Sequence, residues 1–284
     1  MGKITEIFNN REISIFLWIV LFLFWFFSQK QTRKSAISLI QAFFKLYKWY
    51  IIMIVYIIVL VVAFYKIDLW DWSLLKDTIY WIFGGAFIMF FNVNKALEKE
   101  KYFLNIFKDC FKVIIILEFL SNLYSFHIVI ELISIPLMLI IGLMTALSEH
   151  NKVDKKVIKF SNTLTLIYIL AVLIYSAIRI INDTDSVFTS DNLKSLLFGP
   201  VMTVLFIPFL YVVALYMAYE GFLKMKKFIL KEHPDLYKYL RWQILKRCNL
   251  SIKNIRLVNK KLHIYTLIEK EQITNDLNLI FEKE

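Results

Sequence analysis

The sequence predicts an all-α membrane protein: a polytopic bundle of about seven transmembrane helices followed by a short C-terminal cytoplasmic tail. Uncharged apolar runs such as Trp49–Tyr65 are 17 residues long, and at about 1.5 Å per residue they approach the ~30 Å hydrocarbon core of a bilayer. Hydrophobic residues make up 59% of the 284 positions, which leaves too little polar surface for a soluble globule. The connectors between the runs are alternately rich and poor in lysine.

Seven apolar runs are predicted to form a transmembrane domain over residues 1–220. They are Ile13–Ser28, Trp49–Tyr65, Leu74–Phe91, Phe111–Phe126, Ile128–Leu147, Leu164–Ile181 and Leu196–Tyr219. Each is long enough to cross or nearly cross a bilayer as a helix. The fourth run is short and polar, so six or eight crossings remain as alternatives.

The charges of the connectors predict the orientation. Residues 29–48, 92–110 and 148–163 carry five, four and four Lys or Arg, whereas residues 66–73 and 182–195 carry one each. Cytoplasmic connectors of membrane proteins carry the excess of Lys and Arg. The pattern therefore predicts a multi-pass protein of the cytoplasmic (plasma) membrane, the cell inner membrane, with the C-terminus in the cytoplasm and the N-terminus outside.

The tail over residues 221–284 is predicted to be mostly helical and strongly basic. It holds 14 Lys and Arg against seven Asp and Glu. Asp235–Arg247 has helical spacing, with Pro234 suited to the first turn. Ile255–Val258 and Leu262–Ile268 could pair as a β-hairpin, although a helix explains these residues nearly as well.

Two carboxylates within apolar runs are the candidate functional residues. Glu118 and Glu131 lie at equal distances from a turn near residues 124–125, and so do Asn122 and His127. An antiparallel hairpin would therefore place both carboxylates at one depth, where they could share a proton or hold a cation. Under this hypothesis, the hairpin that carries these four residues lines a path for a proton or a cation. The alternative is that both carboxylates lie near the interface, protonated or hydrogen-bonded to a nearby serine or tyrosine.

The sequence predicts no catalytic, cofactor-binding or metal-ligating residues. It lacks the H-E-x-x-H, Walker A and G-x-S-x-G motifs, and its four histidines are scattered. Cys110 and Cys248 form no metal-binding spacing, and both are expected as free thiols on the cytoplasmic side. The net charge of +11 is expected to meet anionic lipid headgroups rather than nucleic acid. An enzyme is therefore not favoured.

The function that these features favour is that of a non-enzymatic membrane effector or scaffold subunit. Its basic tail would dock a cytoplasmic protein, and a second copy of the chain is the other candidate partner. An amphipathic basic segment, Ala36–Lys48, is suited to lie on anionic headgroups. The alternative function is a transporter or channel for a proton or cation that uses Glu118 and Glu131.

Overall fold

A computed structural model describes residues 9–110, 112, 124–151, 155–182, 189–262 and 269–282, and within them every regular element is a helix. The α-helices are α1 (Asn10–Ser28), α2 (Lys30–Phe44), α3 (Tyr47–Lys66), α4 (Leu75–Trp81), α5 (Phe87–Phe91), α6 (Lys95–Glu98), α7 (Tyr102–Asp109), α8 (Ile128–Asn151), α9 (Lys155–Asn182), α10 (Ser190–Ile229), α11 (Pro234–Cys248), α12 (Ile252–Lys261) and α13 (Lys270–Glu282). A 3₁₀ turn, Trp72–Leu74, precedes α4, and a π-helical turn, Ile82–Ala86, joins α4 to α5. The all-α prediction is confirmed for these residues.

Six helical segments in the described part of the chain are long and apolar enough to cross a membrane. They are Asn10–Ser28, Tyr47–Lys66, Trp72–Phe91, Ile128–Ser148, Lys156–Asn182 and Ser190–Ile229. Each corresponds to one of the predicted runs. Most of the predicted fourth run, residues 111–126, lies outside the described residues. The count of seven therefore stays a prediction.

The exposed side chains of these segments support the prediction that the chain is a transmembrane protein. Large apolar residues on them are exposed, among them Phe24 on α1, Val59 on α3 and Leu139 on α8. Contiguous apolar surface of this kind is unfavourable in water, whereas lipid chains solvate it. The six helices are thus compatible with a multi-pass protein.

The chain divides into two compact units. The first unit comprises residues 1–55 and 112–196. Within it, α8 packs against both α1 and α9. The Trp18 indole N–H on α1 donates to the Leu132 carbonyl at 2.9 Å, and the Phe126 and Tyr175 rings lie 4.7 Å apart. Aromatic and polar contacts therefore fix the register of these three helices.

The second unit comprises residues 56–111 and 197–284. Its apolar part is organised around Phe206 of α10, which is fully buried. The Phe206 ring contacts Trp81 at 5.5 Å and Phe209 at 5.1 Å between centroids. The Trp81 indole also donates to Thr203 Oγ1 at 2.9 Å. The 3₁₀–α4–π–α5 segment is thereby held against α10.

The tail folds as three helices against the end of α10. Phe222 of α10 and Leu230, which directly follows α10, belong to one apolar core of twelve buried residues. The other ten members lie between Leu236 and Ile280. The tail members are Leu236, Leu240, Ile244, Cys248, Ile255, Val258, Leu262, Ile273, Leu277 and Ile280. The predicted helix after Pro234 is confirmed as α11. We refer to α11, α12, α13 and the end of α10 from Phe222 as the tail module.

The β-hairpin prediction is wrong for its first strand, because Ile255–Val258 lies inside α12. The Ser251 hydroxyl caps this helix by accepting the Asn254 N–H. The apolar residues at positions 252, 255, 258 and 262 follow helical spacing and all four are buried. Residues 263–268 of the second predicted strand lie outside the described residues.

Candidate functional site

Glu131 is fully buried in the first turn of α8. Its Oε1 accepts the Phe126 N–H at 2.9 Å. A carboxylate in this position also interacts favourably with the N-terminal end of the helix dipole. The candidate site is therefore built at the start of α8.

The principal partner of Glu131 is Arg11, which lies in the first turn of α1. The Arg11 Nε lies 3.2 Å from Oε1 and 3.4 Å from Oε2 of Glu131. The side chain of Arg11 is only 16% exposed, and that of Glu131 is not exposed at all. Because both charges are withdrawn from water, the attraction between them must offset the free energy lost when each is desolvated.

A second contact joins the same two helix starts. The Asn10 side-chain amide donates to the Phe126 carbonyl at 3.1 Å. Asn10 and Arg11 thus meet residues 126 and 131, so α1 and α8 begin at the same end of the first unit. The site is a buried ion pair, Arg11–Glu131, that holds the N-terminal ends of α1 and α8 together.

Sequence reasoning missed the role of Arg11 because the first apolar run was expected to begin at Ile13. In the structure α1 begins at Asn10, and a capping box precedes it. The Asn9 side chain accepts the Glu12 N–H, and the Glu12 carboxylate accepts the Asn9 N–H, each at 2.9 Å. Asn9 and Glu12 have the spacing of such a box, so this signal could have placed Arg11 inside the helix.

The structure tests the other predicted path residues only in part. His127 is exposed, and its Nδ1 accepts the Val129 N–H at 3.4 Å. Glu118 and Asn122 lie outside the described residues. The equal depth of Glu118 and Glu131 therefore stays a prediction, and the proton or cation path stays a hypothesis.

Two serines near the carboxylates, Ser121 and Ser134, are the candidate hydrogen-bond partners in the alternative interpretation, and Ser121 lies outside the described residues. Ser134 Oγ donates to the backbone carbonyl of Glu131, at 3.4 Å. Hydrogen bonds to the Glu131 carboxylate come instead from the Arg11 guanidinium and the Phe126 backbone N–H.

A second candidate site is the outer face of α11. Trp242 is 56% exposed there, and the Lys246 Nζ lies 5.1 Å from the centre of its ring. Lys238, Arg241 and Leu245 are exposed on the same side of the helix. We call these five residues the α11 face: an aromatic side chain surrounded by cations.

The tail module is also attached to the connector that contains α6 and α7. The Arg256 Nη2 on α12 donates to the Ala96 carbonyl at 2.8 Å, and its Nη1 lies 3.9 Å from Glu100. The Phe103 and Tyr211 rings lie 5.4 Å apart beside this contact. A small cleft lined by these side chains and by Ser251 separates the connector from α12.

The two cysteines are buried free thiols. Burial raises the pKa of the Cys248 thiol to about 11. The thiol therefore stays protonated and unreactive at neutral pH. Among the residues that the structure describes, no group of three or more His, Cys, Asp and Glu could hold a metal ion.

No protein-family model, curated protein or solved structure matches the chain.

Proposed function

We propose that this protein is a membrane-anchored scaffold that presents the tail module to a cytoplasmic protein. The observation that carries the proposal is the combination of a shared apolar core in the tail module with an exposed tryptophan on its surface. A core of this kind holds α11 in a fixed orientation. The α11 face is therefore available as a preformed binding surface.

The chemistry of the α11 face indicates the kind of partner. Exposed tryptophan is enriched at the energetic centres of protein interfaces. Lys238 and Arg241 favour an acidic surface on the partner, because complementary charge accelerates association and excludes wrong partners. We infer an acidic cytoplasmic protein with an apolar pocket for Trp242.

A photo-crosslinking amino acid at position 242 of the full-length chain, in cells, tests this proposal. We expect one acidic protein to be crosslinked at position 242. The matched control is position 279, because Leu279 is similarly exposed on α13. We expect no crosslink to that protein there. Equal crosslinking at both positions, or crosslinks only to lipid or to a second copy of the chain, would contradict the proposal.

The variant Trp242→Ala gives the quantitative test of the same surface. Truncating a central interface tryptophan typically costs about 2 kcal/mol or more, which is about 30-fold in affinity. We expect the crosslinked partner to be recovered about 30-fold less well in a binding titration with the purified full-length variant. Leu279→Ala should bind as the unchanged protein does.

The proposal includes a topology of seven crossings with the N-terminus outside, in the plasma membrane. The contact between Arg11 and Glu131 supports it. A chain must cross a membrane an even number of times between two residues at the same face, and three described candidate segments lie between these two residues. A fourth crossing between these two residues satisfies this condition, and in the proposed topology the predicted run Phe111–Phe126 supplies it.

Labelling of single introduced cysteines with a membrane-impermeant maleimide tests this topology. His127, Lys34 and Lys99 are exposed, and each is replaced by cysteine in turn. We expect His127→Cys to react in intact cells, and Lys34→Cys and Lys99→Cys to react only after permeabilisation. The unchanged protein is the control, because its own thiols are buried. The opposite pattern would exclude the proposed orientation.

A further inference from the structure

Helix α10 is too long to lie entirely within a bilayer. Its 40 residues extend about 60 Å, twice the ~30 Å of hydrocarbon. Charged residues occur near its start, at Asp191 and Lys194, and then only from Glu220 onwards. The uncharged stretch between them fits the hydrocarbon. The residues around Tyr211–Tyr219 then lie towards the headgroup end of that stretch, and the rest of α10 projects beyond the membrane.

The tail module folds back along α10 towards that end. The Tyr211 hydroxyl donates to the Leu250 carbonyl at 2.6 Å, and the Tyr219 hydroxyl donates to the Asn249 carbonyl. The turn between α11 and α12 is thereby fixed beside the membrane end of the projecting helix. The turn after α10, which contains Lys231, lies about 27 Å beyond Tyr211 along the helix axis, because α10 ends at Ile229, 18 residues after Tyr211, with a rise of about 1.5 Å per residue.

The α11–α12 turn has the surface of a membrane contact. Leu250 is 68% exposed, although it is an apolar residue at the tip of a turn. Lys246 precedes it by one helical turn, Lys253 follows it in the first turn of α12, and both are exposed. An apolar tip flanked by lysines is the combination with which peripheral segments bind anionic membranes.

We propose that this turn contacts the same membrane in which the protein is embedded. Leu250 enters the headgroup layer, and Lys246 and Lys253 bind the headgroups of anionic phospholipids. The contact fixes the height of the tail module above the bilayer and places the Trp242 backbone one helical turn further from the bilayer than that of Lys246. This inference rests on the proposed topology but not on the identity of the protein partner.

A fluorescent probe that responds to polarity tests the contact in purified full-length protein. The probe is attached to Leu250→Cys, and the protein is reconstituted in vesicles with or without anionic phospholipid. The matched control carries the probe at Lys231→Cys, in the far turn. The buried thiols of Cys110 and Cys248 remain unlabelled.

We expect spin-labelled lipid headgroups to quench the Leu250→Cys probe at least twofold more strongly than the Lys231→Cys probe. We expect anionic lipid to increase that quenching, and the double variant Lys246→Gln with Lys253→Gln to abolish the increase. The control double variant, Lys260→Gln with Lys261→Gln, removes the same amount of charge at the other end of α12. It should leave the increase in quenching by anionic lipid unchanged.

Three results would overturn the inference. The first is equal quenching of the two probes by lipid. The second is quenching of the Leu250→Cys probe that does not depend on anionic lipid, and the third is an equal effect of the two lysine pairs. None of them bears on partner binding at Trp242, which the crosslinking experiment measures separately.

Discussion

Arg11→Met is expected to lower the free energy of unfolding by about 3–5 kcal/mol, because it leaves the Glu131 carboxylate buried without its cation. Glu131 is fully buried and Arg11 nearly so, and solvent therefore compensates little of the lost contact. The measurement is reversible unfolding of the purified full-length protein in mixed micelles. Arg33→Met is the control, since Arg33 is exposed on α2, and it should change the free energy by less than about 0.5 kcal/mol.

The double variant Arg11→Met with Glu131→Gln distinguishes an ion pair from a general packing effect. Removing both charges avoids a buried uncompensated carboxylate, so we expect it to recover much of the stability that Arg11→Met loses. If the two single effects simply added, the pair would not be coupled. If Arg11→Met behaved as Arg33→Met does, the ion pair would make no contribution to stability.

The same pair bears on the alternative function of a proton or cation path. In the first unit the pair joins the starts of α1 and α8, which is a structural role. A path through Glu131 requires its carboxylate to exchange a proton or cation during transport. Unchanged flux after Glu118→Gln with Glu131→Gln, measured in vesicles with a stable double variant, would exclude that path.

Leu240→Ala is expected to have the second largest effect. Leu240 is a fully buried member of the tail core, and truncation of such a residue costs about 2–5 kcal/mol, since it removes apolar contacts and leaves a cavity. The readout is the rate at which a maleimide labels Cys248 in the full-length protein at constant pH. Cys248 is fully buried in the same core, so labelling requires the tail module to open.

A loss of about 3 kcal/mol would raise the labelling rate about 100-fold where opening precedes reaction in a rapid equilibrium. Leu279→Ala is the matched control, because it makes the same truncation at an exposed position of α13. Its labelling rate should stay within about twofold of the unchanged protein. Similar rates for the two variants would show that Leu240 does not stabilise the module that buries Cys248.

The sequence alone predicted the apolar helices well, and the reason is that hydropathy and length are local properties. A run such as Trp49–Tyr65 has no charge over 17 residues, so its helix does not depend on its neighbours to be recognised. The start of α11 was predictable for a similar reason, because Pro234 suits the first turn of a helix. The start of α1 was also encoded locally, in the capping box of Asn9 and Glu12.

The functional features depended on contacts between distant residues. Arg11 and Glu131 are 120 positions apart, and no periodicity in either helix indicates that they meet. The α12 segment shows the same limit on a smaller scale, because its short apolar pattern allowed a strand or a helix. Burial of Ile255 and Val258 in the tail core selects the helix, because that conformation places both residues on one face.

The amino-acid sequence by itself determined which segments of this protein are apolar helices and where its positive charge is concentrated, because both are properties of continuous stretches of chain. Only the tertiary structure decided that Arg11 compensates Glu131 and that the tail folds back along α10 towards Tyr211. The pairing of buried charges and the direction of a helix depend on how residues distant in sequence pack together. The free energy of that packing comes from interactions between segments, so no single segment reveals it.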